Sequence, residues 1–215
     1  RIAVITGAVN QDVWSLRNLG FDANPVGSTT TINNAPTDPL AGYDVVWNTG
    51  NYPSTAQTTA RARLQAFFAA GGGYIGTGTG GANFLTTGAL TSGLTVATSV
   101  GPGESNVGES GIIRWVNEGA DSPITGAYPA EDTAIVDPPI WFTAVPASFQ
   151  VDARLPLTNF FLSGMWHMDA QSATAPGSPF VVHGLSTAGS RVVNFAMSPL
   201  YRADPEREWP MLGAA

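Results

Sequence analysis

The sequence predicts an α/β fold: a flavodoxin-like, doubly wound, mostly parallel sheet with a β-rich insertion. Three observations carry that expectation. Short apolar runs alternate with helical stretches through the first hundred residues. A glycine-dense turn, Gly71-Gly72-Gly73-Tyr74-Ile75-Gly76-Thr77-Gly78-Thr79-Gly80-Gly81, stands between two helical segments. From Leu94 onward the rhythm changes to short β-rich pieces broken by Pro and Gly.

Ile2-Ala3-Val4-Ile5 is a continuous apolar run, as expected of a strand buried on both faces. A helix follows from Asn10 to Leu19, with Val13, Trp14, Leu16 and Leu19 toward the sheet and Gly20 as its C-terminal stop. Phe21 to Val26 reads as a second strand and Gly27 to Leu40 as a polar connection. Tyr43 to Asn48 is a third strand. Thr55 to Ala70 is a helix with Leu64, Phe67 and Phe68 on one side. Tyr74-Ile75 is then a short buried strand that turns sharply through glycines into a helix opening at Ala82-Asn83-Phe84-Leu85.

The later pieces are Thr95–Ser99, Gly111–Val116, Ala134–Val136, Ile140–Thr143 and Phe149–Val151. The parallel sheet is expected to resume at Phe180–Val182 and Arg191–Ala196, and Asp204-Pro205-Glu206 reads as a helix start. The chain, 1–215, reads as one domain with its insertion at roughly 95–170, cut from a longer protein.

Composition narrows the function classes. Apolar residues make up 43 % and charged ones 12 %, with ten Phe, six Trp and five Tyr, so the chain can build a core. A net charge of −7 disfavours nucleic acid and anionic membrane as partners. No run approaches the length of a membrane span. All nine basic residues are Arg; without Lys there is neither a Walker-type lysine nor Schiff-base chemistry. Without Cys there is no disulfide, thiolate metal site or cysteine nucleophile. A Thr/Ser/Gly/Pro-rich chain of low charge that lacks Cys suits a secreted bacterial protein.

The frame Gly76-x-Gly78-x-Gly80 has the outline of a nucleophile elbow with glycine at its centre. The same stretch satisfies G-x-G-x-x-G, but it is not the first βα turn. Nor does a carboxylate stand about 20 residues further on to hold a ribose, so no dinucleotide or other cofactor is expected. The candidate cleft comprises Gly76, Thr77, Gly78, Thr79, Gly80, Asn83 and Asn48. Thr77 and Thr79 offer hydroxyls, which need an adjacent base to act as nucleophiles. His183, at a strand end, reads as a hydrogen-bonded structural histidine. His167 with Asp169 is a secondary candidate, and two ligands do not make a zinc site. Glu104, Glu109, Glu118, Asp121, Glu131 and Asp132 read as a solvated acidic rim, with an occasional calcium site as the alternative. Trp115, Trp141, Phe142, Phe149, Phe160, Phe161 and Trp166 are a core by default and a sugar or peptide platform if exposed.

Three segments resemble the class I glutamine-amidotransferase-like fold near its ThuA-like branch. They are Tyr43–Gly50, Gly71–Gly76, and Arg191–Phe195 followed by Ser198-Pro199-Leu200-Tyr201-Arg202. The nearest likeness is to the domain appended C-terminally to secreted actinobacterial zinc carboxypeptidases. Active amidotransferases place a Cys where Gly78 stands, and a His-x-Glu pair where this chain has Phe195-Ala196-Met197-Ser198-Pro199. The resemblance therefore implies a non-catalytic accessory domain of a larger secreted hydrolase, with no catalytic residue of its own. Its expected partners are the parent protein's other domains and a peptide or carbohydrate ligand. Two alternatives stay open: a ThuA-like hydrolase or sugar-processing enzyme using a Thr hydroxyl, and a carbohydrate- or peptide-binding module.

Overall fold

The computed structural model describes residues 1–5, 11–49, 53–78, 81, 110–119, 121–136, 140–165 and 172–196, and the backbone of 95–98. Its first elements are β1 (Ile2–Ile5), α1 (Gln11–Asn18), β2 (Ala23–Gly27), α2 (Thr29–Asn34), β3 (Val45–Asn48), α3 (Thr58–Ala69) and β4 (Gly73–Thr77). Then follow β5 (Thr95–Thr98), β6 (Gly111–Asn117), β7 (Glu131–Val136), β8 (Ile140–Ala144), β9 (Phe149–Arg154) and β10 (Phe161–Gly164). A 3-10 turn (Ser172–Thr174), β11 (Pro179–Leu185) and β12 (Arg191–Phe195) complete the order. The segments expected as helices from Ala82 and from Asp204 lie outside the described residues.

One sheet runs β10-β6-β9-β11-β12-β4-β3-β1-β2, with β7 also on β6, and β5 pairs with β8 separately. The half from β12 to β2 is parallel. Its central strands are buried on both faces, so they read as unbroken apolar runs rather than alternations. The fold is α/β and flavodoxin-like. Register separates its two faces: Trp47 pairs with Ile75, so Trp47 and Tyr74 point to opposite sides. Trp47 Nε1 donates to Asp12 of α1 at 3.1 Å, while Phe68 of α3 meets the Tyr74 ring edge-on at 5.9 Å. Helices therefore cover both sides of the parallel half. Of the four α1 side chains expected to face the sheet, Trp14 instead lies on the outside, 58 % exposed.

The structure corrects two further expectations. Strands β11 and β12 are antiparallel, not successive parallel strands. Only five residues join them, closed by Ser186 N–H to Ser190 O and Gly189 N–H to Ser186 O, both 2.9 Å, with Gly189 at φ +82°. A connection that tight can join only antiparallel neighbours. The polar connection 27–40 contains α2. Ser28 caps it, its hydroxyl accepting from Thr31 N–H, and the buried Ile32 anchors it.

The β-rich section continues the main sheet through β9 and β6 instead of forming a layer apart. Trp115 and Trp141, at 1 % and 0 % exposure, lie in its core, as do Phe142 and Phe149. No helix among the described residues is long and apolar enough to cross a membrane.

Candidate functional site

The carboxyl ends of the parallel strands place Asn48, Gly76 and Asn194 at one level, on adjacent strands β3, β4 and β12. Paired residues share a face, so two amide side chains flank a glycine. Tyr74, two residues earlier, folds over that glycine. Its hydroxyl donates to Gly81 O at 2.8 Å and accepts from Asn48 Nδ2 at 3.2 Å. Burial pushes the phenol far above its ordinary pKa of 10, so it remains the protonated donor this geometry needs.

The glycines have separate reasons. A Cβ on Gly76 would lie 2.7 Å from Tyr74 Cε1 and 2.9 Å from its hydroxyl, and one on Gly81 would lie 2.6 Å from the Gly76 carbonyl carbon. Those two backbones approach too closely for any side chain. Gly78, by contrast, has φ +61°, and no atom of the described residues lies within 4 Å of where a Cβ would stand. The residue after β4 is thus a left-handed glycine, a conformation that costs a side-chain-bearing residue.

Thr77 points to the opposite face, 1 % exposed, and its hydroxyl has no hydrogen-bond partner among the described residues. Among the described residues no base is in reach to take its proton, which a hydroxyl nucleophile needs. Thr79, Gly80, Asn83, His167 and Asp169 lie outside the described residues. Among the described residues no three His, Asp or Glu side chains gather where they could hold a metal. The acidic section is partly paired: Glu118 meets Arg154 at 3.1 Å and Glu131 approaches Arg114 at 3.9 Å.

Two groups that sequence reasoning passed over belong to this edge. Asn194 is fully buried beside the turn, and neither atom of its amide is hydrogen-bonded among the described residues. Leaving such groups unpaired costs about 1–3 kcal/mol each. Asp12 stands at the crevice between β1 and β3, where the chain reverses direction across the sheet. Burial raises its pKa, opposed by hydrogen bonds from Trp47 and Thr49. Neither residue had a motif to announce it; strand register and the start of α1 bring them here.

No family model matches the chain, and no curated protein matches it in sequence. Solved structures do. A ThuA-like protein from Bacteroides uniformis superposes with TM-score 0.63 at 17 % identity, covering 100 % of this chain and 87 % of that one. A Thermoplasma acidophilum protein described as a component of GMP synthase gives 0.62 at 15 %, covering 99 % and 90 %. The fold is amidotransferase-like. A glutamine amidotransferase from Thermotoga maritima agrees, at TM-score 0.56 and 11 % identity over 100 % of this chain and 89 % of that one. At these identities the likeness extends to the fold alone.

Proposed function

We propose that this chain is a binding domain of amidotransferase-like fold that does not hydrolyse glutamine. The observation that supports the reading is Gly78: the position has a positive φ, and glycine there carries no side-chain atom that could attack a carbonyl. Thr77 does not substitute, being buried and without a base among the described residues. What the edge carries instead is polar chemistry. The amide of Asn194, buried and without a hydrogen bond among the described residues, lies beside the turn, Tyr74 and Asn48 brace it, and Asp12 borders the crevice. A peptide or carbohydrate, rich in both donors and acceptors, suits such a site.

The resemblance to the domain appended to secreted zinc carboxypeptidases extends the proposal. In this reading the chain is an accessory domain of a larger secreted hydrolase, and peptidase chemistry resides elsewhere in the parent protein. The purified chain, incubated with glutamine, is expected to release ammonia at the rate of the buffer blank; release above that rate ends the reading. The accessory role is tested by the full reading frame, where a His-x-x-Glu zinc domain is expected beside this segment.

A further inference from the structure

A second polar site lies on the face opposite Tyr74, toward the other edge of the sheet. Its centre is His183 on β11. Opposite it, β9 carries a bulge: Ala153 pairs with Val181 and Val151 with Val182, leaving Asp152 as the extra residue. Bulges re-aim a side chain, and this one delivers the Asp152 carboxylate to His183 Nδ1 at 2.8 and 2.9 Å. Asp152 is 1 % exposed and held from every side. Its backbone oxygen accepts from Glu118 N–H at 2.9 Å and from the Thr125 hydroxyl at 3.1 Å. Ser122 donates its hydroxyl to the carboxylate while accepting the N–H groups of Ile124 and Thr125. Ser122 is therefore committed to holding Asp152 and is not a nucleophile.

This arrangement fixes the tautomer. An ionised carboxylate only accepts, so the Nδ1 facing it must bear the proton. In the neutral ring Nε2 then carries a lone pair, and it makes no hydrogen bond among the described residues. The imidazole borders a cavity of about 460 Å³, shared with Gln150, Ser148, Arg191, Pro123 and Ile124. Arg191 opens β12, and its guanidinium makes no hydrogen bond or ion pair among the described residues. His183 pairs with Val193, and Arg191 lies two residues before it on the same face. Such diagonal neighbours stand about 7–8 Å apart. The cavity lining thus includes an Arg, whose guanidinium binds anions through paired N–H groups, and the His183 imidazole on the same face.

We propose that this cavity binds a small organic anion bearing a hydroxyl group. Arg191 takes the carboxylate or phosphate, His183 Nε2 accepts the hydroxyl proton, and Asp152 positions the ring. The site is separate from the elbow, which lies at the carboxyl ends of the parallel strands.

Titration calorimetry with gluconate and with glycerol 3-phosphate tests the proposal and separates a carboxylate from a phosphate source. At least one is expected to bind at millimolar concentration, with glucose and acetate, which each lack one of the two groups, failing to do so. Arg191→Gln, a change at a strand end, is expected to weaken binding about tenfold or more, as is His183→Gln. The chain has two histidines, so ring-nitrogen NMR, assigned with His183→Gln, is expected to show His183 in the Nδ1–H form. Absence of binding by both anions overturns the proposal. So does binding that survives both substitutions, equal binding of acetate, or an Nε2–H ring. Ammonia release from glutamine reads the elbow and this calorimetry reads the second cavity, so failure here and failure of the elbow reading are told apart.

Discussion

Gly76 and Gly78 are two residues apart and look alike in sequence, yet their substitutions should fail for different reasons. Gly76→Ala drives a methyl into the Tyr74 ring and hydroxyl, breaking the brace to Gly81. Overpacking of that kind costs about 1–3 kcal/mol, and the lost hydrogen bond adds to it. Gly78→Ala meets no atom of the described residues, and its left-handed backbone resists at about 1–2 kcal/mol. Urea denaturation of the two variants should rank Gly76→Ala as the less stable. Asp12 gives a prediction in pH. Its native pKa is raised by burial, so its favourable contribution is complete below the ordinary value of 3.8 and is lost as pH rises through the native value. Asp12→Asn removes that loss while leaving an oxygen for Trp47 Nε1. Stability of the parent relative to Asp12→Asn should therefore fall from acid toward neutral pH; a flat difference would show that the carboxyl is not buried.

At the scale of elements, α2 shows why local propensity misleads. Its sequence, Thr29-Thr30-Thr31-Ile32-Asn33-Asn34, is a weak helix former because β-branched residues lose rotamer freedom and Asn competes for backbone hydrogen bonds. The helix exists because α3 holds it. Gln57 Nε2 donates to the Thr30 hydroxyl, Ala60 N–H to Asn33 Oδ1, and the Arg63 guanidinium to the carbonyls of Ile32 and Ala35 at its C-terminal end. Arg63→Ala strips two charge-assisted bonds from carbonyls that have no other partner in the helix, and is expected to cost about 1–3 kcal/mol. Backbone amide exchange in 29–34 should accelerate more than in β1 or β4; equal acceleration would mean that Arg63 acts on the whole fold instead. The same reasoning explains β10, which the sequence does not announce: Phe161–Gly164 forms an edge strand because β6 offers it a partner.

For the whole molecule, β1, β3, β4 and β12 were legible because a strand buried on both faces must be apolar throughout, and the glycine turn because few residues tolerate such a bend. The α/β class and the empty centre of the elbow followed from the same letters. The tertiary structure decided the direction of β11, through a five-residue connection whose hydrogen bonds no composition reveals. It also decided which polar side chains meet. Asn48 and Asn194 come to one level only because each pairs with Gly76, and Asp152 reaches His183 only because a bulge turns it. Residues 31 positions apart in sequence are brought within 2.8 Å by strand register, which periodicity cannot encode. Apolar pattern thus determined where the sheet would be, since burial depends on each residue's own chemistry. Pairing determined where its chemistry would be, since a hydrogen bond depends on two residues that the chain alone does not place together.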